Sequence, residues 1–100
     1  MVQINWTKRA FQDTDIIRKY ISVDSELYAN ITIRKFKTRV EILKQFPFIG
    51  RVVPEFNLEY IRELIEGNYR VIYKIVDKSQ VDILAIVHGA RNISDIDIKM

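Results

Sequence analysis

Residues 59–88 read "EYIRELIEGNYRVIYKIVDKSQVDILAIVH", and their interpretation decides the fold. Three runs rich in Ile, Val, Leu and Tyr ("EYIRELI", "YRVIYKIV" and "VDILAIVH") are separated by the polar breaks "EGN" and "DKSQ". Branched and aromatic side chains suit a pleated surface, and short polar breaks containing Gly, Asn, Asp and Ser close hairpins. The stretch therefore predicts two hairpins in succession, an antiparallel meander of three strands. Register is tied to the turn, because a slip of one residue exchanges the two faces of a strand. A three-residue turn at "EGN" places Ile61, Glu63, Ile65, Tyr69, Val71 and Tyr73 on one face. Tyr60, Arg62, Leu64, Arg70, Ile72 and Lys74 then share the other. The first set is the more apolar and is expected to face the core. The second is expected to form an outward groove with Arg62 and Arg70 side by side and Lys74 beyond them.

The chain upstream supplies what packs on that sheet. "VQINW" alternates with period two and predicts a short first strand. From about Lys8 to Ser22, Ala10, Ile17, Tyr20 and Ile21 recur at helical spacing. Asp24 and Ser25 then offer caps for a second helix, on which Ala29, Ile33, Phe36, Val40 and Leu43 follow steps of four and three and form one apolar stripe. "QFPFIG" ends it, with Pro47 and Gly50 as the stopping residues. The order strand, helix, helix, strand, strand, strand predicts an α+β domain over residues 1–100, its two-helix hairpin packed on one face of the sheet. Trp6, Phe11, Phe36, Phe46 and Phe48 are expected in the core. The tail "ISDIDIKM" alternates apolar and polar residues and is open to three readings: a short strand, a helical turn or a disordered end.

Composition limits the chemistry. With 100 residues, 48% of them hydrophobic, there is material for one core and not for two. The absence of cysteine removes disulfides and thiolate zinc sites, and one histidine makes a structural metal unexpected. The first residues lack the apolar core of a signal peptide, and no run of 18 uncharged apolar residues occurs, so a cytoplasmic protein outside the membrane is expected. There is no Gly-rich phosphate loop, nucleophile elbow or paired acidic metal motif, and no cofactor is expected. The net charge of +3 is unevenly spread: "IRKFKTRVEILK" gathers Arg34, Lys35, Lys37, Arg39 and Lys44. A stripe of Arg34, Lys37 and Arg39 on the second helix is either a surface for an acidic or phosphate-bearing partner or a solvated helix face.

In this layout Arg62, Arg70, Arg91 and His88 converge at one end of the sheet. Arginine presents a planar fork matched to phosphate oxygens, and imidazole carries protons near neutral pH. These are the parts a metal-free ribonuclease uses, with Glu55 in "VVPEF" as an alternative base if its loop folds over the sheet. The competing reading pairs the arginines with Glu59, Glu63 and Glu66 and leaves His88 as the end of a strand.

"FPFIGRVVPEF", "IRELIEGNYRVIYKI" and "VDILAIVHGARNI" together resemble the RelE/ParE superfamily of toxins from bacterial type II toxin–antitoxin systems. The likeness covers nearly the whole chain and is most specific at the tyrosine-arginine pair opening "YRVIY" and at "VHGAR". It implies a toxin neutralised by a cognate antitoxin that wraps it, with operator DNA met only through that antitoxin. It also implies one of two targets: mRNA in the ribosomal A site for RelE-like members, which are metal-independent endonucleases, or DNA gyrase for ParE-like members, which are not enzymes. Under the first, the resemblance assigns cleavage to Arg70 and Arg91, with His88 and Glu55 approximating a second subgroup's set. The lysine pair of RelE-like nucleases is replaced here by Ile61 and Glu63, and the terminal His-Tyr ending of that subgroup is absent. These departures, with "IVHGARNI" and the long helical hairpin, point toward the ParE branch. Arg62, Arg70, Lys74, Arg34, Lys37 and Arg39 are then the residues expected to meet target or antitoxin. A member that has lost toxicity and acts only in antitoxin binding and operon regulation is the remaining alternative.

Overall fold

The computed structural model describes residues 1–96. Strand β1 (Gln3–Trp6) leads into helix α1 (Lys8–Ser22) and helix α2 (Glu26–Glu41), followed by a 3-10 turn (Ile42–Lys44) and strands β2 (Arg51–Val52), β3 (Ile61–Glu66), β4 (Tyr69–Asp77) and β5 (Gln80–His88). One five-stranded sheet results, in the order β1-β5-β4-β3-β2, with β1 parallel to β5 and the other pairs antiparallel. Both helices begin on side-chain caps. Thr7 Oγ1 accepts from the Ala10 amide at 3.2 Å and Ser25 Oγ from the Tyr28 amide at 3.0 Å, each satisfying one of the orphan donors of a first turn.

The stripe expected on α2 is the helix side of the core. Phe36, Val40 and Leu43 are buried against Leu64, Val71, Tyr73, Val81 and Ile83, and Ile33 is half-buried beside them. Tyr20 departs from its expected place, at 77% exposure. Of the five aromatics assigned to the core only Phe36 is buried. Phe11, Phe46 and Phe48 are each more than half exposed. Phe11 leans on half-buried Trp6, with ring centroids 6.0 Å apart, and Phe48 lies beneath the Arg62 guanidinium at 4.9 Å.

The first hairpin turn differs from the sequence expectation by one residue. Glu66 pairs with Tyr69, so the loop is Gly67-Asn68 alone, with Gly67 at φ +58, a conformation glycine adopts without a Cβ penalty. The faces of β3 are accordingly exchanged. Arg62 and Leu64 turn to the helix side with Val71 and Tyr73, while Ile61, Glu63 and Ile65 share the far side with Arg70, Ile72 and Lys74. Arg62 and Arg70 are thus on opposite faces.

Nor is the far side an open groove. The segment 53–60 and the residues after β5 fold over it, and Val53, Ile61, Ile72, Ala85, Val87, Ile93 and Ile96 form a second core. Ile93 and Ile96 thereby anchor the start of the tail, and residues 97–100 lie outside the described residues. Burial on both faces explains why "VDILAIV" lacks polar alternation. A β-bulge also sits within it. Ile72 pairs with Ala85 and Tyr73 with Ile83, leaving Leu84 unmatched, so the helix-facing set runs Val81, Ile83 and then Ile86.

Gly50 has a role other than helix termination. Its amide donates to Tyr73 Oη at 3.0 Å, and that hydroxyl donates to Pro47 O at 2.7 Å. A Cβ on Gly50 would lie 2.5 Å from Glu63 O and 2.6 Å from Tyr73 Oη, so only glycine permits this approach. Because Phe36 is fully buried between α2 and the sheet, Phe36→Ala is expected to cost about 3–5 kcal/mol in urea unfolding. A loss under about 1 kcal/mol contradicts this placement of the stripe.

Candidate functional site

Three charged residues of the far side, Arg51, Glu63 and Arg70, are brought by their register into a lattice. Arg51 on β2 stands directly opposite Glu63 on β3, and Arg70 on β4 is the diagonal neighbour of Glu63, whose direct partner is Ile72. The Glu63 carboxylate, 1% exposed, accepts from Arg70 Nε at 2.6 Å and from Arg51 Nε. Glu55, carried over the sheet by segment 53–60, completes the set: its two oxygens accept from both terminal nitrogens of Arg70 at 2.7 and 2.8 Å. Arg70 is 5% exposed, and its fork is filled by two carboxylates of its own chain. Hydrogen bonding from Arg70 lowers the Glu55 pKa from 4.5 to about 2, and the bonds that Arg70 donates to Glu55, then to Glu63, raise its own pKa.

The remaining sequence candidates are dispersed around this lattice. Arg62, on the helix face, donates to Phe48 O at 3.1 Å, Gly50 O at 3.0 Å and Glu59 O at 2.9 Å, and pairs with Glu59 Oε1 at 3.2 Å. It is a strut beneath the loops around β2. Lys74 is buried on the far side between Ile61 and Asp82 of the flanking strands. Arg91 extends from the loop after β5 to Asp95 at 3.1 Å, in an exposed pair.

The bulge at Leu84 decides the place of His88. It brings the end of β5 onto even-numbered helix-facing positions, so His88 is paired with Tyr69, their rings edge to face at 5.9 Å. His88 Nδ1 accepts from the Ala90 amide at 3.2 Å. Arg70 and His88 meet only at the rim, where they line from opposite faces a concavity of about 280 Å³ with Arg51 and the turn Gly67-Asn68. The expected convergence of Arg62, Arg70, Arg91 and His88 is therefore not formed. Two of the alternative pairings are present, Arg62 with Glu59 and Arg70 with Glu63, while Glu66 pairs with Arg39 of α2 at 3.7 Å.

The basic stripe on α2 also divides. At 3.6 residues per turn Lys37 and Arg39 lie about 160° apart. Lys37 lines a concavity with Arg18 and Arg34 on the α1 side, whereas Arg39 reaches the sheet edge and donates to Ile65 O at 3.1 Å. The sequence reading missed Arg51 and Tyr69. Arg51 lay in an unrecognised edge strand, and Tyr69 was assigned to the core although it reaches the rim, where burial and the nearby Tyr20 and Tyr28 raise its hydroxyl pKa. Among the described residues there is no cluster of three or more His, Cys, Asp or Glu placed to hold a metal, and no helix long and apolar enough to cross a membrane.

Comparison with known proteins adds three findings. A family model described as the ParE toxin of the type II toxin–antitoxin system parDE matches residues 4–93. Toxin RelE2 of Caulobacter vibrioides is 35% identical over 91 residues, covering 91% of this chain and 99% of that protein. The solved structure of a chromosomal ParDE toxin–antitoxin system from P. aeruginosa superposes with a TM-score of 0.72 over 88% of this chain and 96% of that one, at 22% identity, a likeness of fold.

Removing one member of a buried ion pair leaves the other uncompensated. Arg70→Ala is therefore expected to destabilise the protein by about 3–5 kcal/mol, and Arg70→Met combined with Glu63→Met to recover part of that loss in the same urea titration. An unchanged midpoint for Arg70→Ala contradicts the lattice. The Glu55 contribution has a defined pH window. Its pKa is lower in the folded state, so the stability it supplies is fully present above about 4.5 and disappears as pH falls through about 2. The difference in urea midpoint between the unsubstituted protein and Glu55→Gln is expected to shrink across that interval. A difference that stays constant with pH removes Glu55 from the network.

Proposed function

Because the chain belongs to the ParE family of toxins of type II toxin–antitoxin systems, within the RelE/ParE superfamily, we propose that it arrests bacterial growth by acting on DNA gyrase. It does so as a single domain over residues 1–100 and is neutralised by a cognate antitoxin, through which alone it meets operator DNA. The observation that carries this reading is the occupied fork of Arg70. A nuclease arginine has to present its donors to a phosphorane, and here Glu55 and Glu63 take them. Two further features agree with it. A general base works best with a pKa near the operating pH, and Glu55, held at about 2, is far below it. His88, the other candidate proton carrier, leaves the sheet on the face opposite Arg70. A gyrase inhibitor needs neither group, because the enzyme it traps supplies the chemistry.

A second reading is an mRNA endonuclease acting on the ribosome through Arg70, Arg91 and His88 with Glu55. It draws on the name of the C. vibrioides relative and on the rim concavity that Arg51, Arg70 and His88 share.

The His88→Gln variant separates the two. Induced in cells, it is expected to arrest growth as the unsubstituted protein does, with gyrase-linked DNA cleavage raised and no cuts at codon positions in translated mRNA. Loss of a proton carrier typically lowers a rate by about 10²–10⁴-fold. Codon-positioned cuts that fall by that amount in His88→Gln establish the nuclease reading instead, and absence of growth arrest from the unsubstituted chain points to a member without toxicity.

A further inference from the structure

The flank of α2 that faces α1 opens into a basic cleft. Arg18 of α1 and Asn30, Ile33, Arg34 and Lys37 of α2 line a concavity there of about 430 Å³. Positions 30, 34 and 37 lie within about 60° of one another around a helix of 3.6 residues per turn, so their side chains form one row, and all three are exposed. Arg18 closes the cleft from the other helix, with 44% of its side chain exposed. Charge in the cleft is not balanced. Asp15 is shared between Arg18 at 3.3 Å and Lys19 at 3.0 Å, and such an exposed pair holds its cation weakly. Among the described residues Arg34 and Lys37 have no carboxylate within ion-pair distance. Ile33, the one apolar residue of the lining, is half-buried against the core, so the cleft offers no exposed apolar anchor.

We propose that this cleft holds the phosphate backbone of duplex DNA, the polymer that gyrase cleaves, through Arg18, Arg34 and Lys37. The inference rests on the gyrase reading above and adds to it a direct contact between the toxin and the DNA of the trapped complex. The lining of the cleft selects the polymer. Protein partners draw their affinity from buried aromatic and apolar anchors, whereas cations that displace counterions from phosphates need none. Spacing agrees with this choice. Asn30 to Lys37 spans about 10 Å at 1.5 Å per residue, the axial rise of about three phosphates at 3.4 Å each along one strand. Arg18 stands across the cleft by the roughly 8–10 Å that separates packed helices, so the strand is gripped from both sides. Contacts of this kind position a duplex and carry no base sequence, and recognition of the operator is left to the antitoxin.

The test titrates a fluorescein-labelled DNA duplex of mixed sequence with the full chain and follows anisotropy as salt rises from about 50 to about 200 mM. Log affinity is expected to fall against log salt with a slope of about −2.7, the counterion release of three neutralised phosphates. Arg34→Gln combined with Lys37→Gln should weaken binding and bring the slope to about −0.9. Lys35→Gln removes a charge from the opposite flank of α2, where Lys35 lies beside Glu66, and should leave the slope unchanged. With gyrase and plasmid DNA, the paired variant should need more protein for the same cleavage, by a factor that grows as salt falls. A slope that the paired variant leaves unchanged overturns the proposal. So does an equal effect per charge from Lys35→Gln, which would trace binding to net charge alone, or tighter binding of an RNA duplex than of DNA, which would give the cleft to RNA. If the unsubstituted chain raises no gyrase-linked cleavage, the gyrase reading fails while the slopes still decide the cleft.

Discussion

A carboxylate with 1% exposure is tolerable in a protein interior only when donors surround it, and Glu63 imposes that condition on the rest of this sheet. Its acceptors are met from both neighbouring strands, by Arg51 on β2 and Arg70 on β4. Arg70 is in turn buried and has to be neutralised, which draws Glu55 and with it the whole segment 53–60 across the far face. That segment brings Val53, Phe56 and Leu58 onto Ile61 and Ile72, so an electrostatic requirement and an apolar one are satisfied by one piece of chain. The short strand β2 is part of the same solution. It is only two residues long, yet it holds the Arg51 guanidinium in place over Glu63 and covers an otherwise bare edge.

The elements were legible in the sequence where a period was uninterrupted. The α2 stripe, the cap at Ser25, and the three strands of the meander follow from local spacing, and tertiary packing left them unchanged. What was not legible was parity. Nothing in "EGN" distinguishes a three-residue from a two-residue turn, and one residue there moves Arg62, Glu63 and Leu64 to the opposite faces. The pattern gave no warning because β3 alternates charge and hydrophobe irregularly, with Glu63 buried and Ile65 47% exposed, the reverse of what a half-buried strand shows. Aromatic residues misled for a different reason: Phe48 finds its partner in a guanidinium at the surface, a contact that hydrophobicity alone does not register.

The candidate site shows the limit of carrying roles between relatives. Arg70 is the residue to which the family resemblance assigned a role, and the chain belongs to that family. Its surroundings nevertheless give it structural duties. Position in an alignment fixes where a guanidinium starts, while the length of a turn and the carboxylates around it fix what that guanidinium has left to offer. Arg39 makes the same point on α2. By sequence it is one of a row of basic residues, and in the fold it is a fastener between helix and sheet edge.

The unmatched Leu84 has one more implication. The alternation of a strand behaves as a signal of period two, and the extra residue is a half-period phase slip inserted between Ile83 and Ala85. Everything downstream inherits it, including Ile86 in one core, Val87 in the other and His88 at the exit. Straightening the bulge at constant chain length would bring His88 round to the side of Arg70, and it would at once present Ala85 and Val87 to the helices and draw Ile86 away from them. The separation of these two residues is therefore guarded by the packing of an entire strand.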